Sequence, residues 1–377
     1  MKNIIILLCL LTILISCKEK SSGMIEIDSN QNSGNFDLAN FYSSTDYVGL
    51  TFPDSVNLTS IRSSKIKNDK LYVHDLPQNK ILVFDLNTES FLYTIQEIGE
   101  GPEEYQLIND FDVDENDILY IYDFGRKIIA FKDGQFYKEW HQLKLHIRGF
   151  QKTKNGFLLI SPNEGYEQNR YPIVEIDQEG NVLNLMGGEM AERLSLPIKF
   201  FQKESNSIYI NDMYNNQIVT FDIETDSIEY SKFFIKDSST FQIVDFWQIN
   251  FEDYFLMIAF QKGEEEQGII SYFKENKFVS NYTSFLCSLD LLAMSSFPTN
   301  DDKGEYDYSL MTDEFFPSFE DYLKNITVEM GGSLELDGDY YSFKEYKLEK
   351  NKFEANRTKI LGILSNNKIL MRKYIRR

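Results

Sequence analysis

The chain has 377 residues, a formal net charge of −21 at pH 7 and a hydrophobic content of 42%. The negative charge disfavours nucleic-acid binding, which depends on clustered lysine and arginine side chains that neutralise phosphates. A chain of this length buries enough surface to fold without disulfides. The acidic excess is compatible with calcium binding, with a cationic partner or with solubility alone.

An apolar stretch over 4–15 follows Lys2 and runs into Ser16 and Cys17. It is shorter than the roughly 20 residues that span a bilayer, so the sequence predicts a cleaved signal peptide over 1–16. Residues 14–17, which read LISC, resemble the lipobox of bacterial lipoproteins. The resemblance implies that Cys17 carries a lipid such as palmitate and anchors the protein to either face of the bacterial outer membrane.

A strand pattern recurs five times along the chain, as KILVFDL, KIIAFK, PIVEID, QIVTFD and GIISYF. Aligning the copies superposes positions that differ successively by 47, 45, 45 and 52 residues, namely Phe84, Phe131, Ile176, Phe221 and Phe273. This period is typical of a propeller blade of ~40–50 residues. Another apolar strand precedes each copy, and Asn, Asp, Gly or Ser turns separate the strands. The repeats predict an all-β fold, a six-bladed β-propeller of four-stranded antiparallel blades.

The predicted domain boundaries are a lipidated linker over 17–35 and a propeller over 36–377. Five blades span about 55–283. The sixth is expected to use Gly332–Leu348 and Lys368–Ile375, with an N-terminal strand from Phe36–Phe52 closing the ring.

The last blade is expected to contain an irregular, partly helical insertion at about 287–330. The residues from Pro317 to Leu323 predict a short helix with Ser318 as its N-cap. Cys287 begins this insertion and, once the leader is removed and Cys17 is acylated, is the one free thiol. Its apolar neighbours predict a buried side chain rather than a nucleophile.

The segment Gly99–Tyr105 reads GEGPEEY and joins the first blade to the second. Together with the lipobox, the blade period and the ending NNKILMRKYIRR, it resembles the six-bladed, NHL-like β-propeller lipoproteins of Gram-negative bacteria. That family typically has Gly-x-Gly-Pro-Gly-Glu-Tyr at this junction. The chain departs from the family at Glu103, where glycine is usual, and at Lys368, where proline is usual. The resemblance implies the fold and an envelope location, and it implies no particular activity.

Two interpretations of this junction are open. In the first, the glycines and Pro102 form a sharp turn with Tyr105 packed beneath it. In the second, Glu103 and Glu104 project from the face where ligands enter propellers. Loops between the second and third strands of each blade are expected on that same face.

Three aspartates end the second strands of blades one, two and four in equivalent positions, namely Asp75, Asp123 and Asp212. Their carboxylates could ring one face and bind calcium, which prefers several oxygen ligands. The alternative is that each aspartate only caps a turn. A second set ends the third strands and is expected at turns of the opposite face, namely Asp85, Asp177 and Asp222.

Histidines offer a different metal hypothesis. The chain has three, His74, His141 and His146, and they could bind zinc if the fold brings them together. A metal-dependent hydrolase or lyase, of the lactonase-like kind, is the enzymatic alternative. No HExxH, GxSxG or CxxC pattern accompanies these residues.

Aromatic residues include 23 Tyr and 30 Phe, and most are expected in blade cores. Those in polar loops could stack on sugar rings, namely Tyr166, Tyr171, Tyr214, Tyr306 and Tyr308, with Arg170 as a polar clamp.

The sequence thus favours an envelope binding or interaction module, with a glycan or another envelope protein as partner. A scaffold without a small ligand is a third possibility.

Overall fold

The computed structural model consists mainly of strands, because runs rich in Val, Ile, Phe and Tyr alternate with turn residues. The structure describes residues 24–124, 127–140, 149–160, 173–186, 200–203, 207–212, 216–222, 227–236, 238, 241–248, 253–262, 265–275, 277–282, 284–287, 292–293, 299–300, 306–312, 335–337, 340–343 and 346–377.

The N-terminal strands pair with elements far along the chain. They are β1 (Met24–Ile27), β2 (Asn35–Asp37) and β3 (Tyr42–Leu50), with a 3-10 turn at Leu38–Asn40 between the last two.

Blades one to three are consecutive antiparallel meanders. Blade one comprises β4 (Ile61–Lys67), β5 (Lys70–Asp75), β6 (Lys80–Asp85) and β7 (Ser90–Ile95). Blade two comprises β8 (Ile108–Val113), β9 (Ile118–Asp123), β10 (Lys127–Lys132) and β11 (Gln135–Trp140). Blade three comprises β12 (Gly149–Lys152), β13 (Gly156–Ile160), β14 (Ile173–Asp177) and β15 (Val182–Met186).

Blades four and five follow the same plan. Blade four comprises β16 (Phe200–Lys203), β17 (Ser207–Asp212), β18 (Gln217–Asp222) and β19 (Ser227–Ile235). Blade five comprises β20 (Phe241–Gln248), β21 (Asp253–Lys262), β22 (Glu265–Lys274) and β23 (Lys277–Tyr282). Two short strands come next, β24 (Ser284–Cys287) and β25 (Leu292–Ala293).

Blade six is assembled from distant segments. Its strands in order across the sheet are β26 (Thr299–Asn300), β27 (Tyr306–Thr312), β31 (Ile369–Arg376) and β3. Between β27 and β31 lie β28 (Glu335–Asp337), β29 (Tyr340–Phe343), β30 (Tyr346–Glu349) and the helix α1 (Lys350–Leu364). The first strands of blades one to four lie side by side in order, and β26 lies against β4, which closes a ring. The predicted six-bladed, four-stranded propeller is confirmed.

Apolar side chains fill the spaces between blades. Phe111, Ile121 and Phe131 of blade two pack against blade one, while Tyr122 and Ile128 on its other side pack against blade three. Because side chains alternate across a strand, each blade contributes to two such cores. The ring is therefore held by a series of blade-to-blade cores.

Residues 24–50, here called the N-terminal belt, follow the outer edges of three blades. β1 pairs in parallel with β19 of blade four, Asn32 bridges to Asn281 of blade five, and β3 pairs with β31 of blade six. Asn281 also donates from its side-chain Nδ2 to the Asp28 carbonyl oxygen at 2.7 Å. The belt thus joins blades four, five and six.

A buried polar cluster fixes the closing strands. The Tyr42 hydroxyl of β3 donates to Asp307 of β27, and Arg376 of β31 donates to the other carboxylate oxygen at 2.6 Å. Asp307 and Tyr42 have no exposed surface. Three strands from different parts of the chain therefore share one buried carboxylate.

Two predicted boundaries need correction. The linker predicted over 17–35 is partly β-structure, since Met24–Ile27 belongs to blade four and Asn35 begins β2. The insertion predicted at about 287–330 contains β27, which is an integral strand of blade six. The inserted structure in the described chain is instead β28 to α1. The strands found where Gly332–Leu348 was expected to complete blade six, β28, β29 and β30, form a separate sheet. The reason is the length of the pairing: β27 and β31 share seven paired positions, whereas β28 and β29 share three.

The predicted N-terminal closing strand is confirmed as β3. The predicted helix at 317–323 lies outside the described residues.

Helix α1 covers part of β3: Lys359 contacts Asp46, and Phe353 and Ile360 are its buried side chains. Of the helices that the structure describes, none is long and apolar enough to cross a membrane.

Candidate functional site

The turn after β5, the junction from β7 to β8 and the turn after β9 meet on one side of the ring. Gln96 donates to the Gln78 carbonyl oxygen at 3.3 Å, and the Asn79 side chain donates to the Gln106 carbonyl oxygen at 2.9 Å. The Phe124 amide donates to the Leu107 carbonyl oxygen at 3.0 Å. We call residues 76–79, 96–107 and 123–124 the junction face. Its arrangement confirms that blade junctions and second turns share a side in blades one and two.

The glycines of the junction make room for the Glu104 side chain. The Gly101 amide donates to Glu104 Oε2 at 2.8 Å. A Cβ at Gly101 would lie 2.9 Å from that same oxygen, and one at Gly99 would overlap it. The carboxylate of Glu104 therefore binds the loop backbone and is not directed toward a ligand.

Tyr105 packs beneath the turn, as the structural interpretation of the junction predicts. Its side chain is fully buried, and its hydroxyl donates to the carbonyl oxygens of Asn79 at 3.0 Å and Ile95 at 3.1 Å. Burial raises the pKa of Tyr105, so the hydroxyl keeps its proton for these bonds. The residue ties the junction to blade one.

Glu103 differs from its neighbour because its side chain is exposed. Its φ is 70°, in the left-handed region that favours glycine. The chain thus places a charged, exposed side chain where the family that it resembles usually has glycine.

Asp75 and Asp123 each bind the chain that enters their own blade. Asp75 accepts from the amides of Thr59 at 2.9 Å and Ser60 at 3.2 Å. Asp123 Oδ1 accepts from the amides of Gln106 and Leu107, both at 2.9 Å. Both aspartates are buried. This geometry fits a capping role, although the cap holds the incoming strand rather than the aspartate's own turn.

The described part of the chain provides little support for the calcium and zinc hypotheses. Among the described residues, no group of three or more His, Cys, Asp or Glu side chains is placed to hold a metal ion. Asp212 ends β17, as predicted. His141 and His146 lie outside the described residues. The calcium and zinc sites stay predictions.

His74 lies between blades one and two, edge-on to Phe111 at 6.3 Å between ring centroids. It is 1% exposed, and its Nε2 has no hydrogen-bond partner within the part of the chain that is described. Burial, reinforced by the charge of Arg62, lowers its pKa to about 4. The imidazole is therefore neutral at physiological pH.

The first strands of blades one to three are linked by carboxylates. Lys65 of blade one donates to Asp112 of blade two at 2.8 Å, and the other oxygen of Asp112 accepts from the Lys152 amide of blade three at 2.8 Å. Asp110 likewise accepts from the Phe150 amide at 2.9 Å, and burial raises its pKa. These acids hold neighbouring blades together.

Asp85 and Asp177 cap turns on the opposite side of the ring, as predicted. Asp85 accepts from the amides of Asn87 and Thr88, and Asp177 accepts from those of Glu179 and Asn181. A cavity of about 100 Å³ lies on that side between blades two and three, well below the roughly 300–1,000 Å³ of small-molecule sites. It is lined by Ile128, Trp140, Phe157, Ile176, Asp177, Glu179 and Gly180.

Of the aromatic candidates, Tyr306 lies in β27 with the Lys373 ammonium 4.7 Å from its ring centroid, and Tyr308 is buried. The remaining candidates and the lipidation site lie outside the described residues, namely Cys17, Tyr166, Arg170, Tyr171 and Tyr214.

Sequence reasoning missed the most exposed apolar side chains of the junction face. Leu76 is 38% exposed, Ile98 48%, Leu107 39% and Phe124 59%. Leu76 and Phe124 each follow the aspartate that ends a second strand. An apolar residue at that position, where a turn is normally polar, is the signal that could have identified them.

A sequence profile of the 6-bladed beta-propeller family matches residues 16–295. A search of curated protein sequences finds no significant match. Among solved structures, a Bacteroides fragilis protein described as exported superposes with a TM-score of 0.61 at 14% identity, covering 94% of this chain and 100% of that one. Hydrazine synthase of Kuenenia stuttgartiensis gives a TM-score of 0.45 at 12% identity over 79% of this chain and 89% of that one.

The profile match extends from the N-terminal residues through blade five, and the fold adds the sixth blade that completes the ring. Because the match covers most of its length, the chain belongs to the 6-bladed beta-propeller family.

Proposed function

We propose that this protein is a lipid-anchored envelope propeller that binds another protein through its junction face. The LISC sequence supports an anchor at Cys17, and the fold likeness to an exported protein is consistent with an envelope location. The observation that carries the binding role is the group of exposed apolar side chains on this face. Exposed apolar patches with polar rims commonly mark protein-binding sites.

The face is also preorganised. Its turns are fixed by Asn79, Tyr105 and Asp123, each through two hydrogen bonds to neighbouring backbone. A rigid surface loses little conformational entropy when it binds, which favours affinity.

A glycan has weaker support on the described surface. Sugar rings stack on exposed aromatic faces, and Phe124 is the one aromatic side chain of the junction face that is exposed. Tyr306 is half-buried with Lys373 over its ring. Aliphatic side chains such as Leu76, Ile98 and Leu107 suit an apolar protein surface better.

The test is site-specific photo-crosslinking in intact envelopes. A photoreactive phenylalanine at position 124 of the full chain should form an adduct with another protein, and the same group at Tyr137, which is 54% exposed on the outer strand of blade two, should not. Equal adducts at both positions, or none at 124, would refute the binding face.

The same strain tests the anchor. The Cys17→Ser variant should lose incorporation of labelled palmitate and move from the membrane fraction to the soluble fraction. Retention in the membrane without label would contradict a lipid anchor, and it would leave the crosslinking result to be judged separately.

A further inference from the structure

The four exposed apolar side chains of the junction face are neighbours through the backbone. Phe124 and Leu107 are joined by the hydrogen bond between their main chains, at 3.0 Å. Leu76 accepts from the Asn79 amide at 3.1 Å, and Asn79 in turn bonds to the residues on both sides of Leu107. Ile98 pairs with Tyr105 in the same junction. These residues therefore lie close together on the junction face, and we call them the apolar patch.

Three exposed glutamates border this patch, namely Glu97, Glu100 and Glu103. Glu97 and Glu100 flank Ile98 along the chain, and the left-handed backbone of Glu103 turns its residue outward at the tip of the loop. Of the described lysines near this loop, Lys80 is buried and donates to Asn57 at 2.9 Å. Lys127 donates to the Gly101 carbonyl oxygen at 3.4 Å and lies 3.6 Å from Glu139. Among the described residues of the junction face, the exposed charged side chains are therefore these three glutamates.

We propose that the apolar patch and its glutamates bind a protein segment that presents apolar side chains flanked by lysine or arginine. This inference rests on the proposed protein-binding function and specifies the chemistry of the partner. Apolar contacts would supply most of the affinity, and the glutamates would accelerate association and select the sign of the partner's charge.

The negative charge of the glutamates disfavours two other possible occupants of the patch, a second copy of the chain and an anionic membrane. A second copy of this chain would bring its own acidic rim against the first, and its net charge of −21 adds to the repulsion. An anionic membrane surface would repel the same glutamates. A cationic, apolar segment is the partner that satisfies both the patch and its rim.

The experiment uses leaderless protein and three short synthetic peptides, titrated by calorimetry at low and high salt. The first peptide combines leucine with lysine, the second replaces lysine by glutamate, and the third replaces leucine by serine. We expect binding of the leucine–lysine peptide alone, weakened severalfold by high salt because exposed charges are screened.

Two pairs of substitutions then separate the patch from its rim. Phe124→Ser combined with Leu107→Ser should weaken binding of the leucine–lysine peptide at least about tenfold, as loss of central apolar anchors typically does. Glu100→Gln combined with Glu103→Gln should weaken it about threefold and reduce its salt dependence. All four side chains are exposed or near the surface, and an unchanged melting temperature verifies that each variant is folded.

A matched control removes the same charge from the opposite side of the ring. Glu89→Gln combined with Glu115→Gln changes two exposed glutamates at turns of blades one and two, and it should leave binding unchanged. If this control weakens binding as much as the junction-face pair, the effect is one of net charge and the inference is overturned. Equal binding of the leucine–glutamate peptide also overturns it.

The two proposals fail in different ways. If the crosslink at position 124 persists in envelopes while the peptides show no preference for lysine, the face binds a protein of other chemistry, and the partner inference alone is wrong. If the crosslink is absent, the proposed function itself fails.

Discussion

Blade one and blade six have the same four-stranded order but draw their strands from the chain in different ways. Blade one uses consecutive strands between Ile61 and Ile95, joined by tight turns. Blade six combines β26 and β27 with β31 and with β3 from near the start of the chain. Local hairpins can specify the first blade, whereas only contacts between distant segments can specify the last.

The polar groups of the two blades reflect this difference. In blade one, Asp75 binds two backbone amides of the segment that leads directly into the same blade. In blade six, Asp307 binds Tyr42 and Arg376, which come from the two ends of the chain. A buried charge of this kind is costly to misplace, so we infer that it helps to select the correct closing strands.

The largest effect is expected from Asp307→Ala, which should lower the free energy of unfolding by about 3–5 kcal/mol. The reason is that Arg376 and Tyr42 lose a shared, fully buried carboxylate. Urea unfolding followed by circular dichroism measures the change.

Asp46→Ala provides the comparison, because it also removes a contact between β3 and a C-terminal element. Asp46 pairs with Lys359 in a salt bridge whose side chains are about half exposed, and such pairs contribute at most about 1 kcal/mol. Similar losses in both variants would show that burial of Asp307 does not determine closure.

A second, smaller effect concerns His74 at the interface of blades one and two. Burial and then Arg62 lower its pKa from 6.5 to about 4, so folding favours the neutral form. The stability that the folded state gains from the neutral imidazole is fully present above pH 6.5 and is lost as the pH falls from 6.5 to 4. The shift corresponds to about 3 kcal/mol at most.

The His74→Gln variant isolates that contribution, since it cannot titrate in this range. We expect the wild-type protein to lose about 3 kcal/mol more than the variant between pH 7 and pH 4, measured by urea unfolding at each pH. Parallel pH profiles would mean that the imidazole is solvated or paired in the folded state.

The smallest effect is expected at Glu103, within the turn that joins two locally specified blades. Its φ of 70° disfavours any residue with a Cβ. Glu103→Gly should therefore be more stable than Glu103→Ala by about 1 kcal/mol, because both variants remove the carboxylate and only glycine relieves the backbone. Thermal unfolding of the two variants measures the difference, and equal melting temperatures would contradict the left-handed assignment.

The first five blades were predictable because each of them contains a copy of the recurring strand pattern. The copies that align Phe84, Phe131 and Ile176 all became third strands of their blades. Asp85 and Asp177 cap the turns after the first and third of these strands, as expected. Blade six was only partly predictable. Its strand β27, which reads YDYSLMT, carries no repeat of the pattern, and its neighbour β31 lies beyond an inserted sheet and helix.

The candidate site, too, was predictable from the sequence only in part. The tight junction around Gly99 and Gly101 and the buried Tyr105 follow from residue type alone. The engagement of Glu104 with its own loop does not, because a carboxylate in a sequence carries no sign of which amide it will meet. Phe124 was missed since a single apolar residue in a turn has no periodicity.

The N-terminal belt has a consequence for the order of synthesis. β3 is made more than three hundred residues before β31, which is its only ladder partner in the described structure. Until β31 has been made, β3 lacks this partner and exposes an unpaired edge, which is a site for misassociation. Closure must then join segments more than three hundred residues apart, and such long-range pairing is slow. The synthesis of β31 thus determines when β3 can pair.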